Sequence, residues 1–195
     1  MAPQVQTGEL TEYQRGLNRV AEMGSHRYLY CFRHWYMDLF DPPKGARLLD
    51  LGGYIGATAH HYARLGHDVT AVEGAAELCR RFAENTPQAM RDRCRVVHSL
   101  IEEFSEPASY DACCCTEILN LVTDPAEVLK VAYESLRDGG LLFVTVPATP
   151  QPSDARRYTP EGLAADVAIA GFGDVSVLEW ADRKHTPQTI VRGVK

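Results

Sequence analysis

Short apolar runs alternate with helix-like segments from about residue 47 onward, and this alternation restricts the chain to few folds. We expect strands at 47–51, 68–72, 95–98, 110–115, 141–146, 175–180 and 189–194. Apolar strands separated by helices of about a dozen residues pair in parallel, with the helices on both faces. The last two runs are joined by a short polar segment, which favours a hairpin. The sequence therefore predicts an α/β fold: a doubly wound, mostly parallel, seven-stranded Rossmann-like sheet with a C-terminal antiparallel hairpin.

Two of the intervening helices carry start signals. Asp124 can accept hydrogen bonds as an N-cap, Pro125 suits the first turn, and Glu127 completes a capping-box spacing. Thr159-Pro160-Glu161 repeats the same pattern later in the chain. Gly139-Gly140 is predicted to end the first of these helices.

Length and charge limit the classes of protein and partner. At 195 residues the chain fits one main domain, predicted at 44–195, preceded by a helical N-terminal extension at 1–43. A formal net charge of −6 opposes a nucleic-acid surface, which needs a basic field. No apolar stretch approaches the roughly 18 residues of a membrane span, and residues 1–10 lack the basic-then-apolar pattern of a secretory signal. We expect a cytoplasmic protein that contacts neither nucleic acid nor membrane.

Cysteine spacing gives no metal or disulfide framework. Six cysteines are present without any C-x-x-C pair, and three of them are the adjacent Cys113, Cys114 and Cys115. Neighbours on a strand point to opposite faces, so this triplet is interpreted as a buried strand of small apolar residues. No metal site is expected.

The first predicted strand runs directly into a glycine-rich bend, Asp50-Leu51-Gly52-Gly53-Tyr54-Ile55-Gly56. Ligands of such sheets bind outside the carboxyl ends of the strands, where glycines let the backbone approach closely. A dinucleotide loop needs a second glycine where Tyr54 stands, and the bend holds no basic residue. The spacing therefore counts against NAD or FAD.

Glu73 ends the second predicted strand, 23 residues after Asp50. A carboxylate at this place can accept hydrogen bonds from both hydroxyls of a ribose. The alternative interpretation is an ordinary surface glutamate at a strand end.

The motifs together resemble those of class I methyltransferases, which use S-adenosylmethionine. The similar segments cover about residues 45 to 194, in order: 48–56, 69–73, 110–120, 136–142, 157–163 and 170–172. The resemblance implies S-adenosylmethionine as the cofactor and a small molecule as the methyl acceptor, at oxygen or nitrogen.

The resemblance also implies roles for individual residues. Gly52, Gly53 and Gly56 would pass close to the cofactor, and Glu73 would hold its ribose. The complete set of implied cofactor-binding residues is Asp50, Gly52, Gly53, Tyr54, Gly56, Glu73, Gly74, Ser99, Leu100, Ile101, Cys115, Thr116 and Glu117.

An aromatic N-terminal segment, from Glu12 to Phe40, is interpreted partly as packing and partly as a lid over the substrate. Arg27, Tyr28 and Trp35 are its candidate inward residues. His34 is the candidate catalytic base, because histidine suits proton transfer near neutral pH. His60, His61 and His67 are interpreted as surface or packing histidines.

Two other functions stay open at this point, an NAD-dependent short dehydrogenase or epimerase and a non-catalytic relative that keeps the fold for binding. Sequence cannot separate an exposed aromatic lid from a dimer patch, so a homodimer is also left open.

Overall fold

The computed structural model describes residues 37–149, 154–181 and 187–195. The strands are β1 (Arg47–Leu51), β2 (Asp68–Glu73), β3 (Cys94–His98), β4 (Tyr110–Thr116), β5 (Leu136–Pro147), β6 (Gly173–Trp180) and β7 (Gln188–Val194). The helices are α1 (Ala57–Arg64), α2 (Ala76–Asn85), α3 (Pro125–Ser135) and α4 (Pro160–Ile169), with short 3₁₀ turns at Gln88–Met90 and Ile101–Glu103.

The seven strands form one sheet in the order β3-β2-β1-β4-β5-β7-β6. The pairs among β1 to β5 are parallel, whereas β7 runs antiparallel to both β5 and β6. Strand order reverses between β1 and β4, which opens a crevice at the carboxyl ends of the strands. The predicted fold class and its antiparallel hairpin are confirmed.

The sheet separates two apolar layers. On one face, Tyr62 of α1 and Phe82 of α2 pack with Cys114 and Phe143. On the other face, Leu129 of α3 and Leu163 of α4 pack in a cluster with Cys113, Cys115 and Val144 of the sheet. The cysteine triplet therefore divides between the faces as predicted, and all three side chains are fully buried with free thiols.

Helix α3 begins as predicted but ends earlier. Asp124 Oδ1 accepts hydrogen bonds from the amides of Ala126 (3.1 Å) and Glu127 (3.4 Å). The helix stops at Ser135, not at Gly139-Gly140, because Leu136 already pairs with Tyr110 in the sheet. Gly139 instead has a φ of 78° inside β5, a value that suits glycine.

None of the helices in the described part of the chain has the length and apolar character that crossing a membrane requires. Residues 1–36 lie outside the described residues, so the division into an extension at 1–43 and a domain at 44–195 stays a prediction.

Lys195, the residue that follows β7, caps the carboxyl end of α3. Its Nζ donates to the carbonyls of Tyr133 (2.8 Å) and Leu136 (2.7 Å), and it lies 4.6 Å from the centre of the Tyr133 ring. A cation at this place satisfies carbonyls that the helix itself leaves without donors.

We expect Lys195→Met to lower the free energy of unfolding by about 1 to 2 kcal/mol, because two charge-assisted hydrogen bonds are lost. Urea unfolding measures the change. Lys130→Met is the matched control, since Lys130 makes only an exposed pair with Glu127 and should cost much less. Equal losses in the two variants would contradict the capping role of Lys195.

Candidate functional site

The predicted site residues that the structure describes lie at or next to the carboxyl ends of β1, β2, β3 and β4. Leu51, Glu73, His98 and Thr116 are the last residues of these four strands. The structure thus brings the glycine bend and Glu73 to the same edge, where β1 and β2 pair directly.

Backbone hydrogen bonds hold the glycine bend against β2. The amides of Gly52 and Gly53 both donate to the carbonyl of Val72, each at 3.0 Å. Gly52 has a φ of 82° and Gly56, the N-cap of α1, a φ of 95°. A side chain at either position would be strained, so glycine is required for the turn itself.

Gly53 is required for a different reason. A Cβ at this position would lie 2.6 Å from the Cβ of Ala71 on β2, closer than two carbon atoms can approach. The bend therefore packs directly on the neighbouring strand.

Tyr54 has a φ of 50°, an uncommon left-handed conformation for a residue with a side chain. Its ring is buried in a small apolar cluster with Ile55 and Leu78 of α2. The tyrosine ring therefore packs in this cluster even though its backbone has a conformation that glycine adopts more readily.

Glu73 ties the bend to β2. Its Oε2 accepts a hydrogen bond from the amide of Tyr54 and its Oε1 accepts one from the amide of Ala75, both at 2.9 Å. The carboxyl group is buried, and burial raises its pKa above the ordinary value, while these amides, that of Gly74 and the nearby His98 act in the opposite direction. Sequence alone gave no sign that Glu73 shapes the bend.

The residues after β3 stand beside Glu73. The amide of Ser99 donates to the carbonyl of Glu73 (3.1 Å), and Leu100 is 40% exposed. A Cβ on Gly74 would lie 3.2 Å from Leu100, so glycine allows this close approach. Ile101, in contrast, packs into the core beneath α3.

The predicted residues at the ends of β1 and β4 point in different directions. Asp50 is fully buried, with Cys114 Sγ 3.8 Å from its Oδ1, and Thr116 Oγ1 lies 3.3 Å from Thr58 Oγ1 of α1. Cys115 faces the opposite side of the sheet, in the α3 layer. Glu117 has a φ of 54°, and its amide donates to the carbonyl of Thr145.

The ring of His60 packs against Gly56 at the end of the glycine bend. A Cβ on Gly56 would lie 2.6 Å from the His60 ring, so glycine allows the imidazole to pack there. The Thr86 hydroxyl donates to the carbonyl of Phe82 (2.7 Å), so His60 Nε2, 2.9 Å from that hydroxyl, must be the donor of their hydrogen bond. Burial, with a smaller contribution from Arg64, lowers the pKa of His60 to about 4, so the ring is neutral at pH 7.

Asn120 was not predicted to bind a ligand, and it anchors the segment 154–156. Its carbonyl accepts hydrogen bonds from the amides of Ala155 (2.8 Å) and Arg156 (3.2 Å), and its Nδ2 donates to Asp154 Oδ1 (2.7 Å). The available signal was a lone buried polar side chain within the apolar stretch 118–122.

The candidate base His34 and the candidate lid residues Arg27, Tyr28 and Trp35 lie outside the described residues, so their roles stay predictions. Within the ranges that the structure covers, no group of three or more His, Cys, Asp or Glu side chains could hold a metal ion.

We expect Gly53→Ala to destabilise the protein by about 1 to 3 kcal/mol, because the added methyl group would overlap that of Ala71. Adding Ala71→Gly should recover part of the loss, since the second change removes the opposing methyl group. Urea unfolding of both single variants and the double variant measures their coupling. Strict additivity of the two changes would contradict the contact.

We expect the stability of the protein to fall by about 2 kcal/mol between pH 7 and pH 5 through His60 alone. Its folded pKa of about 4 lies below the ordinary histidine pKa of 6.5, so the unfolded chain binds the proton more readily. This contribution is complete above pH 6.5 and is lost as the pH falls towards 4.

His60→Gln can still donate to Thr86 but does not titrate, so its stability should fall less over this range. Urea unfolding at several pH values measures the difference. His98→Gln, at an exposed position, is the control. The same decline in His60→Gln as in the unmutated protein would refute the assignment.

A protein-family model matches most of the chain. The model described as a methyltransferase domain matches residues 23–181, which is most of the chain. This match begins within the predicted extension.

Curated relatives include enzymes named ubiquinone biosynthesis O-methyltransferase. The protein from Xylella fastidiosa is 36% identical over 107 residues, which are 53% of this chain and 43% of that protein. The protein from Methylocella silvestris is 35% identical over 145 residues, which are 73% of this chain and 50% of that protein. The matched segments therefore span half or less of these relatives.

Solved structures show the same fold. A Burkholderia thailandensis 1,6-didemethyltoxoflavin-N1-methyltransferase, with bound 1,6-didemethyltoxoflavin and S-adenosylhomocysteine, has a TM-score of 0.68 at 20% identity, over 94% of this chain and 83% of that chain. A Haemonchus contortus phosphoethanolamine N-methyltransferase 2, in complex with S-adenosyl-L-methionine, has a TM-score of 0.75 at 16% identity, over 96% and 60%. With the family match, the chain belongs to the methyltransferase-domain family, the S-adenosylmethionine-dependent methyltransferases that its motifs resemble.

Proposed function

We propose that the chain binds S-adenosylmethionine at the carboxyl edge of β1 and β2 and transfers its methyl group to an oxygen of a small molecule. The main observation behind this proposal is the contact between the glycine bend and a buried carboxylate. The side chain of Glu73 accepts a hydrogen bond from the amide of Tyr54 in the bend. Family membership supports S-adenosylmethionine as the cofactor, and the geometry of this edge of the sheet supports the proposed position of its binding site.

The residues at this edge fit an adenosyl group. Glu73 accepts hydrogen bonds from the amides of Tyr54 and Ala75 and is influenced by that of Gly74, and a carboxylate offers about four acceptor positions, so acceptor capacity remains for a ribose hydroxyl. A Cβ on Gly52 would lie 3.0 Å from the side chain of Ile118, and one on Gly74 would lie 3.2 Å from that of Leu100, so both glycines keep this edge free of an added side chain. Ser99 and Leu100 are suited to the adenine edge.

Oxygen is the proposed acceptor atom because the matched relatives are named O-methyltransferases of ubiquinone biosynthesis. Ubiquinone carries methoxy groups on its ring, so a phenolic hydroxyl is the acceptor class that we propose. The net charge of −6 agrees with a small acceptor more than with a nucleic acid.

When bound, S-adenosylmethionine supplies a methyl group made electrophilic by its sulfonium. The protein must hold the acceptor oxygen in line with this methyl group and exclude water. A phenol has a pKa near 10 and is protonated at neutral pH, so a base promotes its reaction.

Two described histidines are unsuitable as that base. His60 is buried and already donates from Nε2 to Thr86. His67 is buried in the loop just before β2 begins, at the opposite edge of the sheet. We retain His34 as the proposed base, because histidine suits proton transfer near neutral pH.

Family membership favours a methyltransferase over the dehydrogenase or epimerase alternative. The non-catalytic alternative differs from our proposal in a single measurable property, because such a relative would bind the cofactor without transferring methyl groups.

Titration calorimetry with S-adenosylhomocysteine tests the cofactor site. We expect micromolar binding, no binding of NAD, and an affinity about tenfold or more weaker in Glu73→Gln, because the amide retains a single acceptor oxygen. Glu84→Gln, an exposed change on α2, should bind as the unmutated protein does. Unchanged affinity in Glu73→Gln would show that the ribose lies elsewhere.

Methyl transfer from S-adenosylmethionine to catechol, detected by mass spectrometry, tests the reaction. A product heavier by one methylene unit is expected. Tight S-adenosylhomocysteine binding without transfer to catechol or to a panel of phenols would favour the non-catalytic alternative.

A further inference from the structure

Thr145, near the carboxyl end of β5, has a feature that the cofactor site does not explain. Its side chain is fully buried, and its hydroxyl has no hydrogen-bond partner among the described residues. A buried hydroxyl without a partner destabilises a protein, because its hydrogen bonds with water are not replaced. Valine has nearly the same shape and a high strand propensity, so stability alone would favour valine here.

The direction of the Thr145 side chain follows from the register of the sheet. Thr145 pairs with Thr116 across parallel strands, so the two side chains point to the same face. Thr116 Oγ1 lies 3.3 Å from Thr58 of α1, which identifies that face as the one covered by α1. Phe143, two residues before Thr145, packs in the same layer.

Asp50 belongs to this face as well. It pairs with Cys114 across β1 and β4, and Cys114 stands two residues before Thr116 on the same strand. Asp50, Thr116 and Thr145 thus form a row of buried polar side chains across β1, β4 and β5, beside an otherwise apolar layer. We call these three residues the polar row.

The polar row leads away from the proposed adenosyl position. The glycine bend and Glu73 belong to β1 and β2, whereas Thr145 is two strands from β1 in the opposite direction. Neighbouring strands are about 4.8 Å apart, so Thr145 lies roughly 10 Å from β1. A group bound at Thr145 is therefore on the far side of Thr116 from the adenosyl group.

We propose that Thr145 binds the hydroxyl group of the methyl acceptor, a phenol of the catechol class. This inference rests on the proposed function. A threonine hydroxyl can accept a hydrogen bond from a phenol and can donate one to the phenolate that replaces it. Thr145 is thus an acceptor-binding residue that orients the oxygen and takes no proton itself.

Binding of catechol to the S-adenosylhomocysteine-loaded protein, measured by calorimetry, tests the inference without requiring turnover. We expect Thr145→Val to bind catechol about tenfold more weakly than the unmutated protein. Thr145→Ser, which retains the hydroxyl, should bind within about twofold of it. Affinity for S-adenosylhomocysteine should be the same in all three proteins.

The ligand-free proteins give a second and opposite readout. Thr145→Val removes an unpaired buried hydroxyl, so its midpoint of thermal unfolding should rise by about 2 to 4 °C. A lower midpoint would show that the hydroxyl has a partner in the free protein and would overturn the inference.

The inference would also be overturned if Thr145→Val bound catechol as tightly as the unmutated protein, or if the unmutated protein did not bind catechol. Weaker binding of S-adenosylhomocysteine by Thr145→Val would overturn it as well. Catechol that binds in a Thr145-dependent manner but is never methylated would refute the proposed function and, with it, the assignment of that phenol as a methyl acceptor, while showing that Thr145 binds a phenolic hydroxyl.

Discussion

The contact between Glu73 and the amide of Tyr54 is the interaction on which the site depends. It joins the end of β2 to the bend after β1, at the same point where Val72 accepts the amides of Gly52 and Gly53. The bend is therefore held by the protein's own hydrogen bonds, so ordering it upon ligand binding costs little entropy. One carboxylate can both shape a binding loop and face the ligand that the loop receives.

Much of the fold was predictable because its signals are local. Each strand follows from a short apolar run, and the caps at Asp124 and Thr159 start α3 and α4 where the sequence predicts. The end of α3 was not predictable in this way. Leu136 pairs with Tyr110 of a strand that is distant in sequence. This tertiary pairing overrides the helix propensity of the residues around Leu136.

The residues of the candidate site also differ in whether their roles depend on local or on distant contacts. Glycines at 52 and 56 could be found from sequence because the turn requires them locally. The need for glycine at 53 depends on Ala71, and the neutrality of His60 depends on Thr86 and burial. The polar row likewise spans three strands that are far apart in sequence, so Thr145 resembles any threonine of a buried strand until the register is known.

Strand order also has a consequence for how the chain is made. β6 precedes β7 in sequence, yet β7 lies between β5 and β6 in the sheet. During synthesis, β6 leaves the ribosome with no strand to pair with, and α4 has only part of its packing surface. The nascent protein must therefore keep one edge of its sheet open until residues 188–194 emerge, a period in which that edge is vulnerable to pairing with other chains.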